Sequence, residues 1–285
     1  MSGVISSIIT NSSAAVAVES LNNINSQLQN VQNQVSTGYR VSSAVNDGAA
    51  YAVAQSVRGD VGALTTANQQ LTSAQGLLGT TVSGLNSISN QVNTLQTTLV
   101  QLSDSSVTGN QRTQYIAQYK SELQNVQTAI QDSNYNGRTL IGNISGSNGT
   151  FGGVNIVKNE VGGSFALTSF SGSTLYHALS FTSTQLSGAT TVAGFLTATG
   201  SFTTQSQSVG TALNTYGNLT NLVTNQASFN SSKIDALNTG LGSLVDANLS
   251  QESAKLQSLQ IQQQLATSAL SIANQSPSLL VKLFP

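Results

Sequence analysis

One histidine and no cysteine limit the chemistry open to this chain. A histidine metal triad, or the paired-histidine helix motif of metallopeptidases, needs more imidazoles than His177 supplies. Thiolate nucleophiles, disulfides and Cys-held metals need sulfur that is absent. What remains is acid–base work by carboxylates, or a Ser–Lys pair. The ten Asp and Glu residues are scattered and form no motif. Neither a G-x-G-x-x-G turn nor a phosphate-binding P-loop occurs. His177, beside Tyr176 in a glycine-rich region, reads as a packed or surface residue rather than a base. No catalytic residue, metal or cofactor is expected.

The composition points to assembly instead. Asp, Glu, Lys and Arg make up 7% of 285 residues, against about 25% in soluble proteins at large. From Val161 to Ser232 there is none. Polarity rests on Ser, Thr, Asn and Gln, whose hydroxyls and amides both donate and accept, so copies can pack with little charge repulsion. A net charge of −1 without a basic patch excludes the footprint of a nucleic-acid binder. No run is long and apolar enough for a membrane span. The start, MSGVISSIITNSS, has no positive n-region, the first Lys or Arg being Arg40. The expectation is export, if it occurs, without a cleaved signal peptide.

The elements that carry these residues are mostly helical. Leu21, Ile24, Leu28, Val31 and Val35 are spaced three and four apart, and Val245, Leu249, Leu256, Leu259, Ala266, Leu270 and Ala273 follow the same rule. Such spacing lines up an apolar seam on a helix, and each seam requires a partner. The two chain ends are expected to pair with each other, although two core helices of one monomeric bundle would read the same way. Gln263 falls on the seam, where a buried amide fixes register at some cost in stability; a solvated glutamine is the alternative. Gln260, Gln262, Gln264, Ser268 and Ser271 make the other face of that helix neutral and polar.

Between the ends, Leu64, Leu71, Leu78, Leu85, Val92 and Leu99 mark one heptad position, and Ala67, Ala74, Thr81, Ile88, Leu95 and Leu102 mark the position three residues on. Six unbroken heptads predict a long helix in a rod-like bundle. Ile116, Tyr119, Leu123, Val126 and Ile130 predict a second helix after a break at Gly109 and Asn110. Asn136 and Gly137 form a turn, and the glycines that follow forbid a stable helix. Val154 to Val157 and Phe165 to Phe170 read as strands of a small hairpin. Helix resumes with Val209, Ala212, Tyr216, Leu219 and Val223. The expected fold is mainly α, a long-helix coiled-coil bundle with a small insertion containing a β-hairpin.

At this point the motifs carry a family resemblance. STGYRVSSAVNDGAAYAVA from Ser36 to Ala54, with VQNQ before it, resembles the N-terminal signature of bacterial flagellins. LVDANLSQESAKLQSLQIQQQLATSALSIANQSPSLLVKLF is similar to their C-terminal signature, and SNYNGR from Ser133 to Arg138 resembles the segment leading out of their third helix. The form NDGAAYAVA looks most like the short, two-domain flagellins of alphaproteobacteria.

The resemblance implies a filament-core domain made of the first and last helices, 1–36 and 241–285. It also implies a second domain of long helices, 37–136 and 201–240, with the glycine-rich β insertion at 137–200 between them. Arg40, Arg58, Asp246 and Glu252 match charged positions of the family motif, making them candidates for polar links between helices or subunits, with plain surface charge as the alternative. The last helix would line the central channel, with Gln260, Gln262, Gln264, Ser268 and Ser271 facing it. The implied partners are further copies of the chain, flagellin paralogues, an export chaperone, and cap and hook-junction proteins. The implied location is the extracellular filament of the flagellum. A hook–filament junction protein or a secreted fibre-forming adhesin remains the alternative.

Overall fold

The computed structural model describes residues 11–283, with side chains described as far as residue 275. The start of the 1–36 segment and the end of the VKLF run lie outside the described residues. In chain order the helices and strands are α1 (Ser12–Thr37), α2 (Gly48–Leu102), α3 (Gly109–Asp132), β1 (Arg138–Thr139), β2 (Thr150–Phe151), β3 (Val154–Val157) and β4 (Ser164–Leu167). They continue with α4 (Gly172–Leu179), α5 (Ser183–Ser187), α6 (Ala189–Phe195), α7 (Ser201–Val245) and α8 (Leu249–Leu283). The fold is mainly helical, with two small two-stranded sheets among the described residues.

The chain divides into two compact units, Met1–Gly59 with Ala236–Pro285, and Asp60–Asp235. Residues 37–59 and 236–240, expected in the second domain, therefore group with the terminal helices.

In the Asp60–Asp235 unit the heptads of α2 do what their spacing demands. All twelve positions from Leu64 to Leu102 are buried. From Leu71 onward they share one core with Tyr119, Leu123, Val126 and Ile130 of α3 and Val209, Ala212, Tyr216 and Val223 of α7. Thr81 is the one polar residue of the two rows, and its hydroxyl donates to the Leu77 carbonyl at 2.7 Å, which removes most of the cost of burying it. Close approach of the segment after α3 rests on glycine. A Cβ on Gly76 would meet the Tyr135 ring at 2.5 Å, and one on Gly84 would run into Ser133 Oγ.

The expected hairpin is present as antiparallel β3 and β4, with Ile156 opposite Phe165. Its tip is fastened to α7. Asn230 donates to the Lys158 carbonyl at 2.9 Å, and Lys233 reaches Glu160 Oε1 at 2.5 Å. The Lys233 ammonium holds the Glu160 carboxyl below its ordinary range. The rest of the expected β insertion needs correction, because residues 172–195 are three short helices. Caps start two of them: Ser171 accepts from the Thr174 amide, and Thr182 with Gln185 forms a capping box. Their apolar residues then dock on α3, with Phe181 stacked on Phe195 at 4.0 Å and Tyr119 beside Phe181 at 6.0 Å.

Two buried tyrosines make this unit sensitive to alkali. Tyr119 Oη donates to the Leu179 carbonyl and Tyr216 Oη to that of Thr168, both at 2.8 Å. Burial pushes the Tyr216 phenol up to about 12, and burial together with the Glu122 carboxylate pushes Tyr119 higher still. A raised phenol is held neutral by the fold. Its contribution is complete below the ordinary phenol range near pH 10 and is lost as pH rises through the folded value. The thermal unfolding midpoint should therefore fall steeply between about pH 10 and pH 12, and more shallowly in Tyr216→Phe; equal slopes would count against the burial argument.

Candidate assembly interface

The unit formed by the chain ends is built on α1 and α8, which pack against each other. Asn11 caps α1 by accepting from the Ala14 amide, and its Nδ2 donates to the Ala273 carbonyl at 2.9 Å. At the other end the Ala247 amide donates to the Gly38 carbonyl at 2.9 Å. The pair is thus antiparallel. Leu21, Ile24, Leu28 and Val35 are half-buried and Val31 is buried, while from α8 Leu256, Ala266, Leu270 and Ala273 are half-buried and Leu259 is buried. Gln263 meets them on this face, where its Nε2 donates to Asn25 Oδ1 at 2.7 Å. This side-chain bond links α1 to α8, and a shift of the pair by one turn would part the two amides.

Two residues expected on the seam lie elsewhere. Leu249 is 49% exposed at the first turn of α8. Val245 ends α7 and is buried with Val41 and Ala54 in a small separate cluster. The reason is the break at Asp246, Ala247 and Asn248, which resets the helical phase that the spacing alone carried through.

Around that break the polar candidates meet. Gly38 takes φ 74° at the end of α1, a left-handed turn for which glycine is suited. The chain then runs beside the end of α7: the Arg40 amide donates to the Val245 carbonyl at 2.7 Å, and Arg40 Nη2 donates to that of Leu244 at 2.6 Å. A guanidinium there satisfies terminal carbonyls and complements the negative end of the α7 dipole. Tyr39 bridges Asp246 through the backbone. Arg58 lies over the Tyr39 ring, 5.5 Å from its centroid, and donates to Gln55 Oε1 at 3.2 Å. Glu252 occupies the first turn of α8, where the helix dipole favours a carboxylate.

Gln260, Gln262, Gln264, Ser268 and Ser271 are all exposed, but they do not form one face. Gln260, Gln264 and Ser271 lie along one ridge, Ser268 falls in line with Leu265 and Ile272 at its edge, and Gln262 falls on the opposite flank. Directly opposite the seam are apolar side chains that the search for a single seam passed over: Ile261, Leu265 and Ile272 are 58%, 65% and 69% exposed. Their spacing of four and seven residues was the available signal. No group of three or more potential metal ligands occurs among the described residues, and none of their helices is long and apolar enough to cross a membrane.

A profile described as the bacterial flagellin N-terminal helical region matches residues 8–145, and one described as the bacterial flagellin C-terminal helical region matches residues 197–284. A flagellin of Brucella melitensis is 32% identical, with 98% of this chain and 99% of that protein covered. Flagellin FljM of Caulobacter vibrioides is 31% identical with the same coverage. Among solved structures, a putative flagellar hook-associated protein from Vibrio parahaemolyticus has a similar fold, with a TM-score of 0.59 at 12% identity. That match covers 70% of this chain and 100% of the other.

Proposed function

The chain belongs to the bacterial flagellin family and is a structural subunit of the flagellar filament, and from that premise we propose that it polymerises through the paired helices α1 and α8. The observation that carries this reading is the pair itself, closed by the Asn25–Gln263 bond at its seam and by Arg40 at the end of α7. From Leu256 to Gln275 it has no charged residue that would repel a neighbouring copy. The work of such a subunit is mechanical, and the chain carries no catalytic role. Arg40, Arg58, Asp246 and Glu252 act in positioning the chain around the two breaks, and the ridge from Gln260 to Ser271 faces the filament channel. A neutral, hydrogen-bonding wall of this kind lets an unfolded chain pass without adhering.

Its partners are then copies of itself and related flagellins, with an export chaperone, a cap and hook-junction proteins along its route. It leaves the cell without a cleaved signal peptide. A hook–filament junction role is the second reading, favoured by the fold likeness to the Vibrio hook-associated protein. Identity near 30% to flagellins over almost the whole chain supports the filament instead.

Seeded polymerisation followed by negative-stain microscopy tests the proposal. The full chain should extend filament seeds, and a chain lacking residues 1–36 and 245–285 should not. Extension by the truncated chain would reject the terminal helices as the assembly element. A stable monomer that never extends seeds would favour the junction role.

A further inference from the structure

We propose that Asn148 is a site of spontaneous covalent modification, where the Gly149 amide attacks the asparagine side chain and expels ammonia, and that the isoaspartate formed there undoes the pairing of β1 with β2. An asparagine followed by glycine is the most open to this reaction, because no Cβ shields the attacking nitrogen. The chain has two such steps, Asn136–Gly137 and Asn148–Gly149, and the fold brings them together. A Cβ on Gly149 would lie 2.9 Å from the carbonyl carbon and oxygen of Gly137, and the Thr150 amide donates to that same carbonyl at 2.8 Å.

The two steps are held differently. Asn136 at φ 47° and Gly137 at φ 75° are the central residues of a turn closed on both sides. The Tyr135 amide donates to the Arg138 carbonyl at 2.8 Å, and the Arg138 amide donates to that of Tyr135 at 3.0 Å. Swinging the Gly137 nitrogen toward the Asn136 side chain requires rotation about the asparagine's Cα–C bond, which both hydrogen bonds resist. Asn148 is exposed and lies outside every helix and strand. Among the described residues, neither its side chain nor the Gly149 amide has a hydrogen-bond partner. Glycine is required at 149 by its φ of 111° and by the approach to Gly137. The fold therefore fixes the glycine and leaves an idle carboxamide in front of it.

The reaction consumes only water. The Gly149 nitrogen gives up its proton to solvent and bonds to Asn148 Cγ, while the Cγ–Nδ2 bond breaks and Nδ2 leaves as ammonia, taking a proton from solvent. Water then opens the resulting cyclic imide. Cleavage of the new Cγ–N bond gives aspartate. Cleavage of the original peptide C–N bond gives isoaspartate, whose main chain runs through Cβ and Cγ and is longer by a methylene group.

That extra length falls between two anchors. On one side the Asn148 amide donates to the Gln131 carbonyl at 3.3 Å, and on the other the Thr150 amide is bound to Gly137, followed by the Gly152 amide on the Thr139 carbonyl at 3.4 Å. The pairing consists of Arg138 with Thr150 and Thr139 with Phe151, too short to absorb a shift in register. Aspartate at 148 adds a charge but keeps the chain length, so it leaves the pairing intact.

The full chain, folded or in urea, is incubated in mildly alkaline buffer, digested with trypsin and followed by mass spectrometry. Cleavage after Lys120, Arg138 and Lys158 puts the two steps in separate peptides. In the folded chain the exchange of amide for acid should run at least tenfold faster at Asn148 than at Asn136, and in urea the two rates should agree within twofold. Asn148→Gln should abolish the change in its peptide. Equal rates in the folded chain, no conversion at Asn148, or a preference that persists in urea would overturn the site. Amide hydrogen exchange reads the consequence. Thr150 and Gly152 should exchange at least tenfold faster in the isoaspartate form than in the unmodified chain, while freshly prepared Asn148→Asp stays within twofold. Protection retained in the isoaspartate form, or lost equally in Asn148→Asp, would overturn the loss of pairing by chain lengthening.

Discussion

Replacing Arg112 with alanine should lower the stability of the Asp60–Asp235 unit by about 3 kcal/mol, among the largest effects of any single charged residue in the chain. The side chain is buried near the start of α3, and its guanidinium is spread over four backbone carbonyls. Nε donates to Val107 at 2.8 Å, Nη1 to Leu186 at 2.8 Å, and Nη2 to Leu102 at 2.7 Å and Asp104 at 3.0 Å. Leu102 ends α2, so one of these is a carbonyl that the helix leaves without an internal partner. Leu186 lies in α5, so the same group pins the short helices to the turn between α2 and α3. Alanine would strand buried acceptors that water reaches poorly. Arg112→Lys should recover only part of the loss, because an ammonium cannot fan out to four acceptors as a planar fork does. Urea titration of the monomer checks both. A loss below about 1 kcal/mol for the alanine variant would mean that water replaces the guanidinium.

Arg112 also shows where sequence reading stops. In the run GNQRTQYIAQY it looks like an ordinary helix charge, and nothing local reveals that its partners come from a turn before it and a helix 74 residues later. The heptads of α2 were legible for the opposite reason. Their spacing persists over six repeats, and every position is buried, so the pattern and the packing carry the same information. The insertion was half legible. Its hairpin is bounded by glycines that exclude helix, but α4, α5 and α6 are too short for periodicity and are written in Ser, Thr and small apolar residues that suit several states. Only the caps at Ser171 and Thr182 marked them, and caps are weak signals without the helix they begin. On α8 the difficulty was one of number. A rule that seeks one seam finds it at Leu256, Leu259, Ala266 and Leu270 and passes over Ile261, Leu265 and Ile272, which lie exposed on the far side of the same helix.

The difference between a buried and an exposed leucine predicts two outcomes for one substitution. Leu85→Ala should cost the monomer about 2–5 kcal/mol, because Leu85 is fully buried in the middle of the α2 heptads. Beside it, Ser133 and Ile141 already press close to the helix at Gly84. A neighbourhood so tightly determined cannot collapse into the space left by the lost isobutyl group, which places the loss toward the upper half of that range. Leu265→Ala removes the same atoms from a side chain that is 65% exposed, and monomer stability should change by less than about 0.5 kcal/mol. Urea midpoints of the two monomers, measured with unchanged slopes, decide it. The buried leucine should shift the midpoint strongly and the exposed one hardly at all, and comparable shifts would mean that Leu265 is buried within the monomer. Under conditions where Leu85→Ala remains folded its seed extension should be close to wild type, since α1 and α8 belong to the other unit. Stability and polymerisation would then be separable properties of this chain, held by different units.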